Sequence, residues 1–399
     1  MALSRSGLLT LAALAWCVMQ TTAWAQKKYD PGASDTEIKL GQTMPYSGPA
    51  SAFGTMGKTE AAYFQKMNEA GGIRGRKITL LSLDDGYSPP KTVEQTRRLV
   101  EQEGVLAIYG SVGTAHNTAI HKYLNSKRVP QLFIATNGLR FDDPTNFPWT
   151  MALPPNQRAD TGLFARYLLK ARPNARIAIL YQNDDYGKDY IKAFRDALGA
   201  PADRLIVAQA SYEVTDPTAD SQIVALQASG ADALMVFASP KFAAMTIRKV
   251  YDIGWKPLEF LAYPAASVKS VLQPAGLDKA IGVISAAFLK DAADPQWSKD
   301  PGMLEYIAFM RKYYADGDPA EYFNVMGYMW AQALVYLLER CGDDLTRENI
   351  MKQAANLNNV ALPTLLPGIT LQTSPTDFAP IEQMQLMRFD GKSWVRLGN

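Results

Sequence analysis

Residues 175–199 read Ala175-Arg-Ile-Ala-Ile-Leu-Tyr-Gln-Asn-Asp-Asp-Tyr-Gly-Lys-Asp-Tyr-Ile-Lys-Ala-Phe-Arg-Asp-Ala-Leu-Gly199. Ile177 to Tyr181 is an unbroken apolar run, the mark of a strand buried on both faces of a parallel sheet. Asp184-Asp185-Tyr186-Gly187 is a turn, and 188–198 is a helix that Gly199 ends. Strand, turn, helix and glycine make half of a βαβ unit, and the unit recurs downstream. Strands at Leu205–Ala208, Ala233–Ala238 and Leu258–Ala262 alternate with helices at 220–229 and 241–253, ended by Gly230 and Gly254.

The same rhythm runs upstream. Ile38–Met44, Ile78–Leu83, Val105–Tyr109 and Gln131–Ile134 read as strands. Between them, Met56–Ala70, Val93–Gln102 and Thr114–Asn125 read as helices, the first closed by Gly71-Gly72. Pro154-Pro155 separates the two runs, and a helix at 159–170 opens the second. The fold class is therefore α/β, with two doubly wound parallel-sheet lobes. Two long helical patterns follow at Met303–Tyr314 and Phe323–Arg340. Gln383 to Leu397 reads as a hairpin about Asp390-Gly391. A lone hairpin is marginal, so it is expected to dock onto an existing sheet.

At 399 residues the chain suits about two domains. It is 47% hydrophobic and 20% charged, enough to bury sizeable cores and too apolar for disorder. Its 41 basic and 39 acidic residues nearly cancel, which argues against a nucleic-acid partner. Residues 1–25 read as a secretory signal: Arg5, an apolar run at 7–19, and Ala23-Trp24-Ala25 as the cleavage site. The run is shorter than the roughly 20 residues a membrane anchor needs. Cleavage removes Cys17 and leaves Cys341 alone, so no internal disulfide forms.

No catalytic signature appears: no G-x-S-x-G elbow, P-loop or H-E-x-x-H. With two cysteines and two histidines there is little for a metal or a nucleophilic pair, so neither enzyme chemistry nor a cofactor is expected. His116 and His121 are five apart and diverge on a helix; surface or supporting roles are expected. Asp84-Asp85 and Asp184-Asp185 read as turn or helix-start carboxylates. The informative stretches are the loops at the carboxyl ends of strands, where α/β sheets take their ligands. These are Ser47-Gly-Pro-Ala-Ser-Ala-Phe53-Gly54, Gly110-Ser-Val-Gly-Thr114-Ala115, Ala135-Thr136-Asn137 and Asp184-Asp-Tyr186-Gly187. Together they describe a cleft with hydroxyl and amide donors at a helix N-terminus, which suits a carboxylate, and with aromatics on both walls.

The sequence resembles the leucine/isoleucine/valine-binding type of periplasmic substrate-binding protein, which serves ABC importers. The resemblance runs from about residue 36 to 397. It is carried by Ile38-Lys-Leu-Gly-Gln-Thr-Met-Pro-Tyr-Ser-Gly-Pro49, Asn68-Glu-Ala-Gly-Gly-Ile-Arg-Gly75, Asp84-Asp85, Ala135-Thr136-Asn137 and Asp185-Tyr186-Gly187. It implies a three-crossover hinge between an N-terminal lobe (36–152 plus 288–369) and a C-terminal lobe (153–287 plus 370–399). It also implies closure of the lobes on a small ligand, a periplasmic location, a membrane permease as partner, and a monomer.

Matched position by position, the resemblance makes Thr114, Ala135 and Thr136 the clamp for a ligand carboxylate. Phe53 and Tyr186 become the aromatics from the two lobes, Phe323 part of the side-chain pocket, and Ser239 a cleft-lining residue. One departure matters. Amino-acid-binding relatives hold the ligand ammonium with an acid on the loop that here reads Ala262-Tyr-Pro-Ala-Ala266. Without the acid, an ammonium loses a charge-assisted hydrogen bond worth roughly 1.5–3 kcal/mol. The expected ligand is a carboxylate with an apolar or aromatic body and no amino group, ringed by Phe53, Tyr186, Tyr263 and Phe323. A branched-chain amino acid, a small amide, a periplasmic sensing role and an exported enzyme remain as alternatives.

Overall fold

The computed structural model describes residues 27–398; the expected signal segment at 1–25 lies outside them. The alternation resolves into two separate sheets. β1 (Lys28–Tyr29) stands apart and pairs with a short strand late in the chain. β2 (Glu37–Met44), β3 (Lys77–Asp84), β4 (Ala107–Tyr109), β5 (Gln131–Ile134) and β6 (Thr150–Ala152) form the first sheet, all parallel, in the order β3-β2-β4-β5-β6. The second sheet starts with β7 (Ile177–Gln182), β8 (Ile206–Tyr212), β9 (Ala233–Phe237), β10 (Leu258–Leu261) and β11 (Ile284–Ala287). β12 (Asp344–Leu345) is the partner of β1. β13 (Gln385–Phe389) and β14 (Trp394–Arg396) are the expected hairpin, and it docks antiparallel on β11. The order becomes β14-β13-β11-β10-β9-β7-β8.

The longer helices cover these sheets. They are α1 (Gly54–Glu69), α2 (Pro89–Arg97), α3 (Thr114–Lys127), α4 (Gln157–Ala171), α5 (Asp185–Leu198), α6 (Asp220–Ala228), α7 (Pro240–Asp252), α8 (Pro301–Tyr313), α9 (Tyr322–Cys341) and α10 (Arg347–Ala354). Their starts follow local chemistry. Asp184 accepts the N–H groups of Tyr186 and Gly187, Asp300 accepts that of Met303, and Pro begins α2, α7 and α8. No helix among the described residues is long and apolar enough to cross a membrane.

One core joins the first sheet to α1, α8 and α9, while Leu99, Val105, Ile108, Ile120 and Leu124 fill its other face. Two further cores lie on either side of the second sheet. The chain passes between lobes after β6 and again after β11, where Phe288 and Leu289 enter the first core. The chain after residue 370 first packs beside the first sheet. Leu371, Phe378 and Ile381 still pack in the first core, and β13 begins only at Gln385. Their apolar side chains, with the Val360–Leu371 bridge, hold this stretch to the first lobe.

α9 is buried nearly all round and crosses α1 closely at Gly327. A Cβ on Gly327 would lie 2.5 Å from the Met56 carbonyl oxygen. This crossing fixes where α1 presents Phe53 and Met56. Gly327→Ala is expected to lower stability by about 1–3 kcal/mol through backbone separation. Urea denaturation checks it: an unshifted midpoint would mean the two helices are free to move apart.

Candidate functional site

The turns after several strands of both sheets meet at one cleft. The turn after β2 and the start of α1 bring Phe53 and Met56 to it, and the turn after β3 brings Tyr87. The turns after β4 and β5 bring Val112–Thr114 and Ala135–Asn137, while Tyr186 starts α5 and Tyr263-Pro264 follow β10. Met326 of α9 and Pro154 of the first passage complete a cavity of about 460 Å³, its mouth included.

Local backbone chemistry aims these groups. Phe133 takes φ +49° and breaks the β5–β6 register between Leu132 and Ile134. Such a bulge re-aims the chain that follows it, here Ala135 and Thr136. The Phe133 carbonyl accepts the Trp330 indole N–H at 2.9 Å, so the bulge leaves it satisfied. Tyr87 also has a left-handed backbone, φ +59°. Asp85 holds it there: one carboxylate oxygen accepts the Tyr87 N–H at 3.0 Å, the other the Thr92 hydroxyl at 2.8 Å. Strain of this kind persists only where the surroundings over-determine it.

The polar wall is neutral. Thr114 opens α3, and its hydroxyl lies 2.7 Å from that of Thr136. Gly113 precedes it at φ +100°, a conformation that favours glycine and lets the backbone approach the cavity. The free N–H groups of this helix start and two hydroxyls suit an anion. The Tyr186 hydroxyl is buried without a partner among the described residues. Among the described residues, no acidic or basic side chain lines the cavity.

The lobes are tied together around it. Asn137 of the first lobe donates to the Tyr190 hydroxyl at 2.6 Å, and Tyr190 donates to Asp160 at 2.8 Å. Burial pushes the Asp160 carboxyl up to about 7. Arg140 reaches both Asp189 oxygens at 2.8 and 3.0 Å, and Asp185 at 2.8 Å. On the opposite rim Glu321 accepts the hydroxyls of Ser267 and Ser270.

Six of the residues singled out in the sequence therefore line one cavity: Phe53, Thr114, Ala135, Thr136, Tyr186 and Tyr263. Two do not. Phe323 is fully buried behind Phe53, ring centroids 4.8 Å apart, and Met326 takes the lining position one helical turn on. Ser239 precedes α7 and donates its N–H to the Tyr212 hydroxyl at 2.9 Å. Tyr212 in turn donates to Gln182 at 3.2 Å, and neither Ser239 nor Tyr212 lines the cavity. The histidines are not on the surface: His116 is 1% exposed and His121 5%. Tyr87, Met56, Asn137 and Met326 carried no usable signal, although Asn137 sits in the quoted Ala135-Thr136-Asn137 turn.

A family model described as periplasmic binding protein matches residues 37–393. The chain belongs to this family. A "Leu/Ile/Val-binding protein homolog 7" of Brucella abortus is 23% identical over 322 residues, covering 77% of this chain and 78% of its own. A branched-chain amino acid ABC transporter protein from Thermus thermophilus, solved with bound valine, superposes with a TM-score of 0.82. It is 16% identical, over 92% of this chain and 97% of its own. A fatty acid ABC transporter substrate-binding protein from Thermomonospora curvata superposes at 0.78 and is 21% identical, over 93% and 94%. At these identities the solved structures establish the type I periplasmic-binding fold. The protein is thus a binding protein of the periplasmic type, in a family of ligand-binding proteins.

Arg140 carries the most direct ionic tie between the lobes. Arg140→Met frees Asp185 and Asp189, at a cost of up to about 1 kcal/mol for pairs this exposed. Small-angle scattering of the variant is expected to give a larger radius of gyration than the wild type at neutral pH. Equal radii would mean that these ion pairs do not hold the lobes.

Proposed function

We propose that the protein captures a small carboxylate with an apolar or aromatic body and no amino group, and delivers it to a membrane permease. The observation that carries this reading is the neutral cavity wall: hydroxyls and a helix start for an anion, and no carboxylate for a cation. Burying an ammonium without a partner costs several kcal/mol, while a carboxylate met by neutral N–H and O–H donors is satisfied. The nearby acids are already engaged: Asp160 by Tyr190, Asp184 by Gln182 and the start of α5, and Asp85 by Tyr87 and Thr92. In this reading Thr114, Ala135 and Thr136 clamp the carboxylate, while Phe53, Tyr186 and Tyr263 enclose the body. The fold itself is compatible with either ligand type, since the valine-bound Thermus protein and the fatty acid protein share it. The lobe boundaries, with passages near 153, 287 and 381–385, serve as the hinge. The protein acts as a monomer.

Leucine and 4-methylpentanoate test the reading as a matched pair, because they differ only by the amino group. After the protein is unfolded and refolded to strip bound ligand, calorimetry is expected to show 4-methylpentanoate, benzoate or phenylacetate binding at least about tenfold tighter than leucine. Tighter binding of leucine would overturn it. In the same assay, Thr114→Val and Thr136→Val are each expected to weaken carboxylate binding by roughly ten- to a hundredfold, with melting temperatures little changed.

A further inference from the structure

His116 has no hydrogen bond. It stands in the first turn of α3, 1% exposed, and neither ring nitrogen has a partner among the described residues. Its ring lies against the inner side of the cavity wall, 4.1 Å from the Tyr87 ring between centroids. Gly113 is just as near: a Cβ there would come within 2.4 Å of His116 Nδ1. Two residues that line the cavity are thus backed by one imidazole.

The charged groups that face this ring are Asp85, from the turn that carries Tyr87, and Asp184, from the second lobe at the start of α5. Both are engaged in shaping the site. Asp85 accepts from Tyr87 and Thr92, and Asp184 accepts from Gln182 and the N–H groups of Tyr186 and Gly187. A neutral imidazole fills the space without asking for either acid. An imidazolium brings a charge and two N–H donors to a buried place where the Tyr87 backbone carbonyl can take one of them. The charge and the second donor are satisfied only by drawing Asp85 off Tyr87, by drawing Asp184 off α5, or by letting water between the lobes.

We propose that His116 makes ligand retention depend on pH: it supports the closed cavity only as neutral imidazole, and its protonation loosens the cleft and releases the ligand. The proposal rests on this cavity being the carboxylate-binding site. Burial holds the ring below its ordinary protonation range, against the pull of the two acids. The sign follows. A group that binds its proton more weakly in the closed state disfavours closure once the pH falls below its ordinary value of about 6.5, at up to roughly tenfold in affinity per pH unit. Asp160 acts in the opposite sense: its carboxyl, raised to about 7, favours the closed state as pH falls. His121, packed on Phe147 at 3.9 Å away from the cavity wall, is held down to about 4 and stays neutral across this range.

The test is calorimetry of the purified protein at pH 7.5 and 5.5 with 4-methylpentanoate, benzoate, phenylacetate and leucine, whose carboxylates stay ionised at both. Because Asp160 pulls the other way in wild type and variants alike, the difference between them isolates His116: for whichever compound binds, the affinity at pH 5.5 relative to pH 7.5 is expected to be roughly tenfold lower in the wild type than in His116→Phe, which keeps a ring against Tyr87, or His116→Gln. An equal pH dependence in the wild type and both variants overturns the proposal. Should none of the four compounds bind at pH 7.5, the carboxylate reading fails separately. His116 is then read by NMR of the histidine ring carbons in the ligand-free protein, with His121→Gln giving the assignment. The same spectrum decides if neither His116 variant folds. In the ligand-free protein a ring titrating near 6.5 supports the proposal, and one still neutral at pH 5.5, with no proton to loosen the cleft, overturns it.

Discussion

The Tyr190 hydroxyl holds the two halves of the molecule in register. It accepts from Asn137 across the cleft and donates to Asp160, whose second contact is the backbone N–H of Tyr263 at 3.4 Å. Tyr263 in turn donates to the Pro155 carbonyl at 2.9 Å, in the first passage between lobes. One chain of hydrogen bonds therefore runs from a turn of the first lobe, through the second, to the hinge. Remove the closed arrangement and each of these buried groups must find water instead. A ligand that favours closure is stabilised by contacts it never touches.

The same constraint explains how the cavity is charged. Burial raises the cost of any unpaired ion, so each acid near the site is taken up in a turn or a helix start. What remains for the ligand is neutral: two hydroxyls, the opening of α3 and the unpartnered Tyr186 hydroxyl. That composition suits one negative charge and places no carboxylate opposite a positive one. It also leaves the site open to pH through His116, the group behind it that must stay neutral for the wall to stand.

The fold was legible because its signals are local. Apolar runs such as Ile177–Tyr181 and Val105–Tyr109, punctuated by glycines, place strands and helices within a few residues of where they lie. The hairpin about Asp390-Gly391 was readable for the same reason. Contacts set by distant packing were not. That Leu371, Phe378 and Ile381 pack in the first core is one such contact, which no local pattern records. At the site, turns with small residues and hydroxyls pointed to Thr114, Ala135 and Thr136. Tyr87 was missed because its role depends on a left-handed backbone held by Asp85. Phe323 was placed one helical turn from the residue that lines the cavity, since an aromatic at the start of a helix does not reveal which face it turns inward.

The most direct measurement is the identity of whatever small molecule the protein carries when purified under native conditions, read by mass spectrometry after denaturation. A cavity with donors for an anion and no partner for an ammonium predicts a carboxylic acid without an amino group. Recovery of a branched-chain amino acid in stoichiometric amount would contradict it, and would mean that Asp160 or another buried acid turns from its present partners to meet the ligand.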